Sequence, residues 1–453
     1  MARASFPPGF LVLLVALALG CGRTRAPEPD IVIFVVDTLR ADHLGLYGHE
    51  RPSSPRLDAL AGESWVFDRA FSHSSWTLPA TASLLTGRLP AAHGATRDPL
   101  DEFLYSPLDE RVPTLAERLT QRGRRAAAWV NNVYLAPEFG LARGFEHYDY
   151  NGSSGLEERS AADAVDLALE WLKAHPEPTF VYLHVMEPHL PYLPPAPYKR
   201  AFTGPGEIPV PVPFGVGDHL DRLMNGGWRP GDEEQASIQA MYDEEILTAD
   251  AALGRLVDGL AAQGRWDRTL LAFTSDHGEE FWDHGSFEHG HSMYGEILRV
   301  PLLLRVPGQE ARRVEFPVQH ADLFQTLLGL AGAPRPAGSV GDDLRGLLSA
   351  PPPPRPLLSE DCLYGPPLAA ITLGERRLIA NLADRTARLY ALDARGQADR
   401  RVEDSEAQAA ETRALLGVME GLRGDLAVHR PTQAKRLDPD SIEKLRALGY
   451  LQE

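Results

Sequence analysis

Five short stretches of apolar, mostly β-branched or aliphatic residues, at 31–36, 126–130, 180–184, 270–274 and 300–304, lack the polar alternation of a sheet with one wet face. Such strands need cover on both sides, which means helices on both faces of a mainly parallel sheet. Apolar residues at helical spacing over 114–122, 161–173, 236–262 and 323–330 supply that cover. The alternation breaks at the proline-rich run 351–356, which reads as a linker. Beyond it, 369–372, 377–380 and 387–392 read as short antiparallel strands, followed by a polar helix over 406–422. The expected fold is therefore α/β: a mainly parallel central sheet flanked by helices on both faces over 31–350, and a small antiparallel sheet plus helix over 357–453.

The N-terminus carries a different signal. Arg3 precedes an unbroken apolar stretch at 10–19, shorter than the roughly 20 residues that crossing a bilayer requires. It ends in Ala18-Leu19-Gly20-Cys21, which resembles the lipobox of bacterial lipoproteins. That resemblance implies a signal peptide over 1–20, acylation of Cys21 and a tether over 21–30, with an ordinary secretory signal as the alternative. The expected location is the bacterial cell envelope, lipid-anchored, on the periplasmic or extracellular side. Asp and Glu number 63 against 45 Lys and Arg, and the formal charge of -18 repels a nucleic-acid backbone or an acidic membrane surface. No nucleic-acid partner is expected, and membrane contact only through Cys21. The two cysteines, Cys21 and Cys362, exclude a disulfide framework.

In open α/β sheets, ligands bind beyond the carboxyl ends of the strands. Two strand ends stand out there: Asp37, closing IVIFVVD, and Asp276-His277, closing LLAFTSDH. A lone Asp at such a place most often caps a helix. Two carboxylates and an imidazole converging from two strand ends instead make a divalent-metal site. A third element is the segment 74–88, in which Pro79 suits a first helical turn and Gly87 a helix end. Thr77 then lies at the helix mouth, where backbone N–H groups and the dipole favour an anion and help ionise a hydroxyl, although a threonine there is commonly just an N-cap.

The chain resembles the sulfatases of the alkaline-phosphatase superfamily along nearly its whole length. The resemblance rests on DIVIFVVDTLRADHLGLYG, TLPATASLLTGRLPAAHG, FVYLHVMEPHLPY, LLAFTSDHGEEFWDHG, LRVPLLLRVPG and the C-terminal KLRALGYL. It implies a hydrolase of sulfate esters whose nucleophile lies two residues before Pro79. In sulfatases that residue is a Cys or Ser matured to formylglycine, with an arginine two residues after the proline. Here the positions hold Thr77 and Thr81, and no GKWHLG motif is present, the region reading Ala128-Trp129-Val130-Asn131-Asn132. Phosphoethanolamine transferases and nucleotide phosphodiesterases of the superfamily use a threonine nucleophile. The transferases also share HxxxxHxP, matched by His184, His189 and Pro191, and SDHGE with a later histidine, matched by Ser275 to Glu279 and His289. Phosphonate monoester hydrolases share the metal-ligand pattern.

On this reading Asp37, Thr77, Asp276 and His277 hold one divalent ion, calcium or zinc, with manganese a further option. Thr77 attacks, and His189 and His289 bind the substrate oxygens, one of them acting as general acid. His291 is a weaker substrate-binding candidate. Glu279 and Glu280 orient a ligand or face solvent, while His43, Asn131, His284 and His320 support the ligands from behind or are structural. Trp76, Tyr192, Phe281 and Trp282 wall the pocket or pack in the core. The substrate is a small-molecule or glycan ester. Alternatives are a phosphodiesterase or phosphoethanolamine-transferase-like enzyme, and a non-catalytic cell-surface binder of sulfated glycans.

Overall fold

The computed structural model describes residues 28–444 apart from 99–102, 153–158, 217–219, 221, 224–225, 351, 398, 404, 425–433, 438 and 440–441. The signal segment, Cys21, most of the tether and nearly all of KLRALGYL lie outside the described residues. Among the described residues, no helix is long and apolar enough to cross a membrane.

Eight strands form the central sheet: β1 (Asp30–Val36), β2 (Trp65–Phe67), β3 (Arg125–Val130), β4 (His147–Tyr150), β5 (Thr179–Val185), β6 (Thr269–Ser275), β7 (Leu302–Arg305) and β8 (Arg312–Val314), in the spatial order 8-2-7-6-1-5-3-4. β1 lies parallel between β5 and β6, and β3 parallel between β5 and β4. Only β7 runs against its neighbours β6 and β2. The expected strand at 300–304 is corrected here. Pro301 has no N–H to give a ladder, so the run splits. Arg299–Val300 joins a small side sheet with Ala70–Phe71, and only Leu302–Arg305 enters the main one.

Every residue of β1 is buried, and its side chains alternate between two cores. Ile31, Ile33 and Val35 pack in the core that includes helices α1 (Thr77–Thr86) and α4 (His320–Leu330). Val32, Phe34 and Val36 pack in the one that includes α2 (Ala161–Ala174) and α3 (Asp232–Ala262). Each such side chain contributes about 1.5–3 kcal/mol of burial, which is why the stretches carry no polar positions. Helix α3 starts earlier than apolar spacing indicates. Its first turn is Asp232, Glu233 and Glu234, favourable at a helix N-terminus but without periodicity, and Glu234 accepts the Gly231 N–H at 2.7 Å.

Past the proline-rich run, β9 (Leu357–Glu360), β10 (Leu368–Leu373), β11 (Arg376–Asn381), β12 (Ala387–Leu392) and β13 (Asp399–Arg401) form an antiparallel meander. Helix α5 (Glu406–Gly424) covers it with Leu415 and Met419. The first and last of these strands are additions to the sequence reading. β9 matters for the site, because Glu360 N–H donates to His73 O and Ser74 Oγ to Asp361 O, tying this sheet to the segment before Thr77.

Candidate active site

The register Val36↔Ser275 sets the ends of β1 and β6 side by side, so the next residues, Asp37 and Asp276, emerge together. The turn after Asp37 is tight. Thr38 takes a left-handed φ of 55°, which costs a non-glycine residue about 1–2 kcal/mol. It is held by its N–H on Asp276 Oδ1 (3.3 Å) and by the Tyr242 hydroxyl of α3 donating to its carbonyl (2.7 Å). Gly278 follows His277 because a Cβ there would lie 2.0 Å from Glu296 O.

Thr77 is the first residue of α1, and Trp76 is its N-cap, with no side-chain capping bond. The hydroxyl is therefore not spent as a cap. Instead Thr77 Oγ1 lies 3.4 Å from His277 Nε2 and accepts from Asn132 Nδ2 at 3.2 Å. At the other end of α1, Gly87 has φ 64°, and a Cβ would strike the Phe324 ring at 2.3 Å.

The four residues read from the sequence as a metal set thus come together, fully buried. Asp37, Asp276 and His277 form one of two groups with ligand atoms close enough for an ion among the described residues. His277 Nε2 is 3.4 Å from Asp276 Oδ2 and 3.8 Å from Asp37 Oδ1. Both of those carboxylate oxygens are buried without a hydrogen-bond partner, an arrangement a cation resolves and little else does. His277 Nδ1 lies 2.9 Å from Gly278 O, a bond that leaves Nε2 with its lone pair toward the cluster. Two oxygens, one imidazole nitrogen and a hydroxyl fit a divalent ion. Burial raises both carboxyls, but His184 pulls Asp37 down to about 2, while the charge of Asp37 lifts Asp276 further. The other group, His43, His49 and Asp243, already has its carboxylate neutralised by Arg51 at 2.7 Å.

Two neighbours were not assigned to the site from sequence. Asn132 Nδ2 donates to Asp37 Oδ2 at 2.7 Å, and its carbonyl accepts the Tyr134 N–H, fixing the amide. His184 Nε2 lies 3.1 Å from Asp37 Oδ2, with Tyr182 OH on its Nδ1 at 3.0 Å. Both could have been found by the strand-end rule. Val130 and His184 are in register on adjacent parallel strands, so the residues just past β3 border the same crevice. Asn131, in contrast, turns to Arg159 O.

The His289 ring lies tilted against that of His277, with centroids 4.5 Å apart, and His189 meets His289 edge-on at 5.3 Å. Burial lowers the proton affinity of both, most strongly for His289. Glu279 Oε1 holds His289 Nδ1 at 3.0 Å. His291 lies against the backbone of His289, its Nδ1 3.3 Å from His289 O, while its Nε2 pairs with Glu280 Oε2 at 2.9 Å beside a cavity of about 240 Å³ lined also by His284 and Tyr294. His43 and His320 are structural, on Asp243 and Thr274. Trp76, Tyr192 and Phe281 are core residues, and Trp282 stacks on Phe287.

The segment carrying His189 is fastened to α3 by buried carboxylates. Glu245 accepts the Leu193 N–H, and Glu244 accepts the N–H groups of Arg200, Phe202 and Thr203. Burial pushes Glu245 up to about 8, and Glu288 likewise. Such groups bind a proton in the folded state that the unfolded chain has lost, so their stabilisation is complete below about pH 4.5 and disappears as pH rises through 8. His284, raised to about 9 by Glu296 despite burial, acts in the same direction from 6.5 upward. Buried His73, at about 4, and His93 and His320, at about 3, oppose this only below pH 6.5. We expect Tm to fall by on the order of 3 °C between pH 6.5 and 9, and Glu245→Gln to flatten the decline. A Tm that rises across this window in thermal melts would contradict these assignments.

The sulfatase family pattern matches residues 29–333. The chain belongs to the sulfatase family. It is 27% identical over 362 residues to an ulvan-active sulfatase of Formosa agariphila, covering 72% of this chain and 66% of that one. Identity to arylsulfatase A of Bos taurus is 30% over 365 residues, covering 74% and 70%. In fold it matches a phosphonate monoester hydrolase from Silicibacter pomeroyi with a TM-score of 0.70 at 21% identity, over 91% of this chain and 100% of the other.

Proposed function

We propose that this chain hydrolyses esters of singly charged oxyanions, first of all sulfate esters of small molecules or glycans, with Thr77 as nucleophile at a one-metal centre. The observation that carries this reading is the Thr77 hydroxyl, free of capping duty, at a helix mouth beside two buried carboxylate oxygens that lack partners. Two relatives are named as sulfatases and one structural neighbour as a phosphonate monoester hydrolase, and both ester types carry one negative charge.

Asp37, Asp276, His277 and Thr77 would hold the ion, whose contribution when bound is to lower the hydroxyl pKa and neutralise charge on the substrate oxygens. Asn132 orients Thr77 Oγ1 through one donated hydrogen bond, and His184 keeps Asp37 ionised. The Thr77 hydroxyl releases its proton to solvent and its oxygen attacks sulfur, forming a threonyl sulfate ester as the bond from sulfur to the alcohol oxygen breaks. The departing oxygen takes a proton from His189 or His289. Both are neutral in the free protein because burial disfavours their charge, and an anionic ester placed against them raises their proton affinity. Water then attacks sulfur, giving a proton to the imidazole that donated in the first step, and the bond from sulfur to the Thr77 oxygen breaks, releasing sulfate and leaving that oxygen to regain its proton from solvent. No formylglycine is needed. We place the enzyme in the cell envelope, anchored through Cys21.

The test is metal analysis followed by a screen of nitrophenyl sulfate, phosphate monoester, phosphodiester and phosphonate esters with calcium, zinc and manganese. We expect one divalent ion per chain and turnover of a sulfate ester, with metal affinity at least roughly tenfold weaker in Asp276→Asn and His277→Ala. Full metal occupancy in both variants would move the ion elsewhere. Turnover of diesters alone would favour the phosphodiesterase reading, and a metal-free protein that still binds sulfated polysaccharide the non-catalytic one.

A further inference from the structure

A cavity of about 620 Å³ lies between the large domain and the C-terminal meander, walled on one side by Arg40 and Arg299 and on the other by Arg395 and Arg400. Carboxylates line it as well, four of them paired with a cationic side chain and one, Asp393, hydrogen-bonded within its own turn. Asp42 and Asp283 both grip the Arg40 guanidinium, at 2.8 and 2.7 Å. Asp399 is held by Arg377 at 2.8 Å and Glu296 by His284 at 2.7 Å. Asp393 Oδ1 accepts the N–H groups of Arg395 and Gln397 within its own turn.

Among the described residues, three guanidinium groups lining the cavity have no carboxylate in ion-pair contact. Arg299 is 1% exposed, and its Nη2 is buried with no hydrogen-bond partner. Its remaining donors go to neutral acceptors, Asp68 O and Gln397 Oε1, and its Cζ lies 5.0 Å from the Tyr47 ring centroid. Arg395 and Arg400 are both exposed, and Arg395 donates to the Tyr47 carbonyl, also neutral. Burial lowers the proton affinity of Arg299, and the Arg395 charge adds to the effect, while the charges of Asp42 and Asp393 oppose it. A buried guanidinium with an idle donor is costly until an acceptor reaches it.

From this surplus of donors we infer that the cavity is a second binding site, distinct from the Thr77 centre, for an oxyanion of the sulfate or carboxylate type. Arginine forks match both geometries. The volume is that of a ligand pocket, not of an ion-sized hole, so it has room for a sugar unit bearing the anion. The cavity touches the chemistry indirectly: Arg40 also donates to Glu279 O, next to the carboxylate that holds His289. On the proposed function the occupant is an uncleaved anionic unit of the same glycan class, and to that extent the inference rests on that reading.

The full-length protein carrying Thr77→Ala, which cannot turn over its ligand, is titrated by calorimetry with glucose 6-sulfate and, separately, with inorganic sulfate. The same titrations are run with Arg395→Ala and Arg400→Ala added, both at positions outside the catalytic machinery. We expect saturable binding that weakens at least tenfold with the two arginine substitutions. Arg299→Lys should weaken it as well, because one ammonium cannot replace a fork. Loss with the sugar sulfate alone marks a sugar-borne anion, and loss with inorganic sulfate too marks a free-anion site. Absence of binding, or affinity unchanged by the arginine substitutions, overturns the inference. In the Thr77 background, nitrophenyl sulfate hydrolysis by the two-arginine variant is expected to match the wild type. Absence of hydrolysis in every form would count against the proposed function and not against the cavity, which the calorimetry reads independently.

Discussion

Thr77→Ala is expected to lower kcat by at least roughly a thousandfold while leaving the fold and metal content nearly intact. The hydroxyl makes no capping bond, so its loss removes none of the roughly 1 kcal/mol that an N-cap is worth. Asn132 Nδ2 keeps its bond to Asp37, and alanine is well tolerated in a helix. Tm should therefore shift by no more than about 3 °C, even though the residue is wholly buried. Thr77→Ser restores the hydroxyl at the same point and should recover a substantial fraction of the rate. The readouts are single-turnover kinetics, metal analysis and thermal melts on the same preparations. Undiminished turnover in the alanine variant would remove Thr77 from the mechanism and with it the threonyl intermediate.

The second large effect concerns substrate charge. Phosphate monoesters carry two negative charges, and stabilising their transfer usually takes a second metal or several cations. The groups that most favour the ionised form of Asp37 are imidazoles, those of His184, His189 and His277. Arg40, the nearest arginine in sequence to Asp37, is consumed by Asp42, Asp283 and Glu279 O, and Arg88 donates to Ala337 O at the surface. Thr81 occupies the position that the resemblance gives to an arginine. The site therefore favours singly charged esters. We expect kcat/KM for sulfate monoesters, phosphodiesters or phosphonate monoesters to exceed that for phosphate monoesters by at least roughly tenfold, about 1.4 kcal/mol of transition-state stabilisation. Thr81→Arg should narrow the ratio. Matched nitrophenyl esters measure it, and a preference for the phosphate monoester would mean that cations not seen around Thr77 reach the substrate.

Much of this was legible in the linear sequence because it arises from local chemistry. Uninterrupted apolar runs dictate strands buried on both faces, as β1 shows with Ile31, Ile33 and Val35 in one core and Val32, Phe34 and Val36 in the other. Asp37, Asp276 and His277 stand immediately after such runs, and parallel strands present all their carboxyl ends at one edge of the sheet. Thr77 is marked by the proline and glycine that bracket its helix. The tertiary structure alone decided which side chains at that edge meet. Strand order is not written in any one segment: β3 and β5 are neighbours only because β5 lies between β1 and β3, and that adjacency brings Asn132 and His184 onto Asp37. The pairing of His291 with Glu280, eleven residues away along the chain, is likewise a contact that neither residue's own neighbourhood in the sequence announces. The arginine-lined cavity exists only where a distant meander closes on the large domain. Local sequence sets what each element is and which face it buries, whereas contacts between elements far apart in the chain depend on how those faces pack, a property of the whole chain.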